Sequence, residues 1–367
     1  MTVTPPEEEG ARERASLQTH HSVHFLPFAM GASYTRPAEV PSIHFPAFAA
    51  TLPSLSGKTV AITGCTTGTG LVAALTCASK GAGVVLLNRP SPRAEAALAA
   101  VRAAAAAAGS SAKVAHIDCD LASFASVRAA AEELKREIGG AGLDVLCNNA
   151  GVMALADVAT RDGYDVQMQT NHLSAFLLSR ELFPLLEAAA ALRGEARIVQ
   201  HSSAARAFPA APLDAAHLGK NGGALGGNGA SMLCGGARWA RYHQTKLANA
   251  VFTLALADRL RARGSKVVAA CAAPGLAATN LQVSTAADGG FADAWIMRFA
   301  QSAEDGTMPL LTCVAAAGVE SGAFFEPGGM AGPAKKGDLA AERLAGDKAA
   351  RALLWRESEA ACGEWAL

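Results

Sequence analysis

Thr59-Val60-Ala61-Ile62-Thr63-Gly64-Cys65-Thr66-Thr67-Gly68-Thr69-Gly70 is the stretch on which the fold turns. Its first half is a short, largely β-branched run that a glycine closes. Leu71 to Lys80 then carries apolar residues at helical spacing up to Gly81, so the whole reads as strand, tight turn and helix. Glycines at 64, 68 and 70 remove side chains where the backbone must turn sharply and where helix must pack on strand. The helix amino terminus behind them offers N–H groups and partial positive charge, which suits a phosphate. In a chain with 36 glycines such a turn is a weak signal alone, and its meaning depends on the residues downstream of it.

Working outward, apolar runs recur at Gly83 to Leu87, Lys113 to Ile117, Leu143 to Cys147, Ala196 to Gln200 and Lys266 to Cys271, with helical stretches between them. Their near-continuous hydrophobicity suits parallel strands covered on both faces. Right-handed crossovers bring the carboxyl ends of such strands to one edge of the sheet, where ligands bind. The expected fold is α/β, a doubly wound parallel sheet of the Rossmann type. It forms a single domain over residues 57–367 behind an N-terminal extension of residues 1–56. Pro41 to Phe48 carries apolar residues expected to pack on the domain, and the opening of the chain is expected to be mobile.

The chain carries 32 basic and 32 acidic side chains, so no global field favours nucleic acid or an anionic membrane. Eight cysteines stand singly, and Cys77, Cys147 and Cys271 fall in apolar runs, which predicts buried thiols in a reducing compartment. No apolar run approaches the roughly 18 residues of a transmembrane segment. The acidic opening Pro5-Pro6-Glu7-Glu8-Glu9 is unlike a secretory or transit signal, so the expected location is the cytoplasm. His20, His21, His24 and His44 have no cysteine or carboxylate spaced to complete a metal site, and none is expected.

Chemistry-bearing residues cluster at the expected strand ends. After the second strand an acidic residue would grip the 2′-hydroxyl of NAD, but Asn88 and Arg89 stand there, a neutral residue and a cation suited to a 2′-phosphate. Arg93 comes next, after a turn through Pro90, Ser91 and Pro92. Asn149-Ala150-Gly151, after the fourth strand, has small residues that let backbone approach a cofactor. Asn171 falls in an apolar helical stretch, where an unpaired amide costs roughly 1–3 kcal/mol, and so should have partners. Ser202 and Ser203 end the fifth strand, and Tyr242 and Lys246 stand four apart on one helix face. An ammonium there is expected to lower the phenol from its usual pKa of about 10, so that the tyrosine can give or take a proton.

These pieces, Thr63 to Gly70, Asn148 to Gly151, and Tyr242-His243-Gln244-Thr245-Lys246, stand in the order found in the short-chain dehydrogenase/reductase family. From about Gly57 to about Pro327 the chain resembles that family. Asn149-Ala150-Gly151-Val152-Met153, Thr170-Asn171-His172-Leu173 and Tyr242 to Asn249 look most like its retinol-dehydrogenase-like members. The resemblance implies an oxidoreductase moving a hydride between NADP(H), in preference to NAD(H), and a small to medium apolar carbonyl or alcohol substrate. It implies a pyrophosphate cradle of Gly64, Thr66, Thr67, Gly68, Thr69 and Gly70, with Asn88 and Arg89 choosing the cofactor and Asp120 and Leu121 at the adenine. Asn149, Ala150 and Gly151 would lie beside the adenine ribose, Tyr242 and Lys246 against the cofactor, and Pro274, Gly275 and Thr279 over the nicotinamide. By the same likeness Ser203, rather than Ser202, holds the substrate oxygen, Tyr242 donates the proton, and Asn171 kinks its helix and holds a water that relays protons to Lys246.

Gln200 and His201 depart from the apolar or asparagine residues commoner before the serines, and the segment 204–241 is long. Within it Gly219 to Gly236 is glycine-rich enough to predict a flexible loop, and residues 280–306 read as a mobile substrate lid. A dinucleotide-binding scaffold or sensor without turnover is an alternative, against which the intact Ser, Tyr and Lys argue. A protochlorophyllide-reductase-like enzyme is another, but Leu247 and Ala248 stand where that subgroup has its cysteine. Phe176 to Ala191 and Leu247 to Leu260 carry long apolar faces, which in the family pair with their twins, so a homodimer is expected. The competing reading folds the segment around Ile43, Phe45 and Phe48, or the long insertion, over that face.

Overall fold

The computed structural model describes residues 1–2, 40–209, 211–230, 234–279 and 299–367. A short helix α1 (Phe45–Thr51) precedes β1 (Thr59–Thr63), α2 (Gly68–Ser79), β2 (Gly83–Asn88), α3 (Pro92–Ala107), β3 (Val114–Asp118), α4 (Phe124–Ile138) and β4 (Val145–Asn148). A helical turn Val166–Met168 passes through a π-turn, Gln169–Leu173, into α5 (Ser174–Arg193). Then come β5 (Ala196–His201), α6 (Ala237–Ala262), β6 (Val267–Ala272), α7 (Ala303–Ala315), β7 (Ala323–Pro327), β8 (Ala334–Gly337) and α8 (Lys348–Cys362).

The strands form one sheet in the order β3-β2-β1-β4-β5-β6-β7-β8. It is parallel from β3 to β7, as the doubly wound pattern requires, and β8 adds an antiparallel edge. The chain reverses direction across the sheet between β1 and β4, so the loops after these strands diverge and open a crevice. Two cores cover the sheet. Side chains of α1, α2, α3 and α7 pack on one face, and those of α4, α5, α6 and α8 on the other.

Residues 40–56, which the sequence assigns to the extension, belong to the same compact unit as the described residues that follow them. Leu52 and Leu55 are buried, and Phe45 and Phe48 pack against the same core. The Asp305 carboxylate holds the start of this segment, accepting from the backbone N–H of Ile43, His44 and Phe45 at 2.9, 2.9 and 2.8 Å and from the Ser42 hydroxyl at 3.1 Å.

Two expectations meet a different arrangement, and another falls largely outside the described residues. The glycine-rich insertion is tied down where it is described. The Asp157 carboxylate accepts from the N–H groups of Gly223, Leu225 and Gly227 at 3.0, 2.8 and 2.9 Å. The buried Arg241 guanidinium donates to the carbonyls of Leu225, Gly227 and Leu155. Of the expected lid, residues 280–298 lie outside the described residues, while Ala303 to Gly306 begin α7. The third concerns the face of α5 and α6 for which a twin is expected. The chain's own α8 and Trp365 lie on it, with Phe176 5.2 Å from Trp355 and 5.3 Å from Trp365, ring centre to ring centre. Burying each such aromatic contributes on the order of 1.5–3 kcal/mol, so the tail is part of the core. All eight cysteines are free thiols, and seven are buried.

Candidate active site

The glycine turn closes on the end of β4. Gly64 has φ +69° and a Cβ there would stand 2.8 Å from the Ala150 Cα, while at Gly70 it would stand 2.3 Å from the Gly64 carbonyl oxygen. No side chain caps α2, since Thr67 at its N-cap is extended and makes no cap bond. Thr66, Thr67, Gly68 and Thr69 therefore bring a helix amino terminus to the sheet edge with N–H groups left for a ligand or water. An anionic dinucleotide fits such a cradle.

Asn149 clamps the turn with its whole amide. Its Nδ2 donates to the carbonyls of Thr63 and Gly64 at 2.9 and 3.1 Å, and its Oδ1 accepts from Thr69 at 3.0 Å and meets His201 Nδ1 at 2.9 Å. Because Oδ1 can only accept, His201 donates from Nδ1, which leaves Nε2 bare, buried and without a partner. Burial, with the nearby Lys246 charge, holds this imidazole down at about 3 and so neutral. Sequence reasoning noticed His201 as a departure without giving it work. A polar ring closing a buried strand was the available signal.

The residues expected to choose the cofactor sit at the ends of the neighbouring strands. Asn88 is buried, accepts from the Cys65 N–H at 2.7 Å, and keeps a buried, unpaired Nδ2. Arg89 is exposed beyond it, as is Arg93 in the first turn of α3. Asp120 accepts from the Ala122 N–H at 3.0 Å, and the Leu121 carbonyl accepts from Ser174 at 2.6 Å. On the other side Pro274 and Gly275 (φ +66°) turn the chain after β6, and Thr279 faces the glycine turn, since a Cβ on Gly68 would lie 3.3 Å from it. Gln301, another residue sequence reasoning missed, holds this loop by donating to the Pro274 carbonyl at 2.7 Å and pairing with Leu276 and Ala278 through its backbone.

The proton-bearing groups converge on the opposite side of β5. Ser203 lies beside the Tyr242 phenol, whose ionised form it favours, and accepts from the Ala205 N–H at 3.2 Å, whereas Ser202 donates to the Lys246 carbonyl at 2.8 Å. The Lys246 ammonium donates to the His201 carbonyl at 2.9 Å and lies 5.8 Å from the Tyr242 ring centre. Asn171, inside the π-turn, exchanges hydrogen bonds with the Val152 backbone and donates to Thr245 at 2.9 Å. A Cβ on Gly151 would stand 3.3 Å from both Asn171 Oδ1 and Lys246 Nζ, so glycine lets the two approach. The amide thus has the partners its burial demands.

The phenol runs against expectation. Burial raises Tyr242 to about 12, with the neighbouring Ser203 opposing, and burial lowers Lys246 to about 8. Desolvation penalises both charged forms more than their proximity rewards them. Beside the phenol, Met153, Ala154, Ala205 and Trp239 form an apolar cluster with Cys234 packed on it. Among the described residues no group of His, Cys, Asp or Glu could hold a metal ion, and no helix is long and apolar enough to cross a membrane.

The sequence profile described as short chain dehydrogenase matches residues 58–214. Retinol dehydrogenase 14 of Mus musculus is 34% identical over 233 residues, 62% of this chain and 63% of that protein, so the chain spans less than two thirds of it. Polyprenol dehydrogenase of Mus musculus is 30% identical over 317 residues, 83% of this chain and 84% of that protein. Among solved structures, an uncharacterized protein from Mycobacterium paratuberculosis superposes with a TM-score of 0.66 at 31% identity, covering 87% of this chain and 98% of its own.

Proposed function

Because the chain belongs to the short-chain dehydrogenase/reductase family, in its retinol-dehydrogenase-like subgroup, we propose that it transfers a hydride between NADP(H) and an apolar alcohol or carbonyl compound. The observation that carries this reading is the buried Tyr242 phenol beside Ser203, with Lys246 one helical turn away and its ammonium 5.8 Å from the Tyr242 ring centre, next to an uncapped glycine turn. When bound, the dinucleotide supplies the hydride and, oxidised, a positive charge. Ser203 donates to the substrate oxygen and fixes it. Tyr242 gives that oxygen a proton during reduction or takes one during oxidation. Lys246 stabilises the phenolate, and a positive charge nearby offsets the burial that holds the phenol at about 12. Asn171 holds the Val152 backbone and Thr245 in place beside Lys246, where a water bound to it would connect Lys246 to solvent.

Neutral Asn88 and exposed Arg89, with Arg93 at the start of α3, support NADP(H) over NAD(H). The apolar cluster beside Tyr242 supports an apolar substrate, in keeping with the retinol and polyprenol in the relatives' names. The α8 cover on α5 and α6 supports a monomer in place of the expected homodimer, and light scattering at micromolar concentration reads this directly. The test of function is a panel of apolar alcohols and aldehydes with each cofactor, followed by nicotinamide absorbance. Tyr242→Phe should keep cofactor binding and lose turnover by orders of magnitude. Near-wild-type turnover by that variant would remove the assignment.

A further inference from the structure

Consecutive residues of the π-turn reach in opposite directions. Asn171 points toward the reaction and bonds Val152 and Thr245. His172, fully buried, points the other way and meets the Ser358 hydroxyl of α8 through Nε2 at 2.9 Å. The next carbonyl, of Leu173, accepts from the Cys362 thiol at 3.3 Å, at the last residue of the same helix. The turn is wide: the Ser174 N–H bonds the Gln169 carbonyl five residues back. Such a turn is rare and occurs frequently at functional sites, and here α8 supplies it with outside partners.

The anchor of those partners is itself firm. Arg128 and Arg180 donate to the Cys362 carbonyl at 2.9 and 2.6 Å, closing the end of α8. Gly363 (φ +100°) permits this, since a Cβ there would stand 2.4 Å from the Arg180 guanidinium. Trp355 and Trp365 seat the helix on Phe176 and Phe252, and the His172 ring lies edge-on to Phe252 at 5.6 Å.

We propose that the C-terminal segment Lys348–Leu367 is the positioning element for Asn171, with Ser358 and Cys362 as positioning residues that clamp the π-turn from outside while Asn171 engages the active site from inside. The catalytic part of this inference rests on the role given to Asn171 above; the clamp itself does not.

Ser358→Ala removes one oxygen from a buried site, and Ser358→Thr retains the hydroxyl. In the full chain, Ser358→Ala should speed amide hydrogen exchange at residues 169–174 roughly tenfold while leaving β1 and α2 unchanged. Ser358→Thr should restore much of the protection. With a substrate in hand, Ser358→Ala should lower kcat several-fold at unchanged dinucleotide Kd, and should lower it no further in an Asn171→Ala background. Should Ser358→Ala fail to fold, Cys362→Ala removes only the thiol bond to Leu173 and is read in the same way. Unchanged exchange at 169–174, or a full additional loss of kcat in the Asn171→Ala background, would overturn the proposal. If the wild-type chain turns over no substrate, the exchange result still decides the clamp, and the catalytic reading alone falls.

Discussion

Two glycine-rich segments of the chain do opposite things with their backbones. In the turn from Gly64 to Gly70, glycine is required by contact, and the N–H groups of an uncapped helix remain open. In the insertion, three N–H groups converge on the Asp157 carboxylate and two carbonyls on the Arg241 guanidinium. One segment turns uncapped N–H groups outward; the other has its N–H groups taken by a carboxylate of the same chain. Glycine content alone does not separate the cases. What separates them is whether a buried charge of the same chain reaches the backbone.

The sharpest way to break this contrast is to remove that charge. Arg241→Leu leaves Asp157 and Asp165 without their cation, and breaking such a buried pair should cost about 3–5 kcal/mol, measured by urea denaturation. A loss below about 1 kcal/mol would mean that the insertion is not held this way.

Next in size, Gly70→Ala forces a methyl group against the Gly64 carbonyl and should cost roughly 1–3 kcal/mol while lowering affinity for both dinucleotides, read by calorimetry. Retained affinity would show that the cradle is elsewhere. Arg89→Ala leaves the cradle intact and touches only the choice between cofactors. It should weaken NADPH by roughly 1–3 kcal/mol and NADH little. Equal losses would assign Arg89 to the fold.

Acid tests the clamp on the cradle. His201 is held at about 3 against an ordinary 6.5, so as pH falls through that window the unfolded chain takes up the proton first. Its contribution is complete above 6.5 and is lost on the way down, at about 1.4 kcal/mol per pH unit. Stability measured at two pH values inside the window should therefore fall less steeply for His201→Val than for the parent. The smallest effect belongs to Gly229→Ala, where an added Cβ meets nothing within 4 Å and φ is ordinary. Stability there should stay within about 0.5 kcal/mol, a result that would mark this insertion glycine as dispensable.

Local patterns made the sheet legible. The β-branched run ending at Gly64 and the apolar runs after it each report burial directly, and right-handed crossovers set their carboxyl ends at one edge; the order of the strands did not follow from them. Asn171 was legible because an amide in an apolar stretch demands partners. Contacts across long separations were not. Asp157 lies 70 residues from the Gly227 N–H it accepts, so nothing near Gly227 announces that the loop is held. Ser358 lies 186 residues from His172, and α8 falls beyond the stretch in which the resemblance offered guidance. The direction of the Tyr242 shift was missed because spacing reveals the neighbouring ammonium but not the degree of burial, and burial dominates.

The tail that covers α5 and α6 also sets an order of events during synthesis. Translation runs from amino to carboxyl end, so Trp355, Ser358, Cys362 and Trp365 emerge after every strand of the sheet. Until they do, Phe176 and Phe252 face solvent and His172 has no hydroxyl to meet. The glycine turn can form early, from contiguous chain and the β4 end. The π-turn gains the partners of its outer side, Ser358 and Cys362, only with α8, so a chain stopped short of that helix would carry its glycine turn formed beside a π-turn held from one side alone.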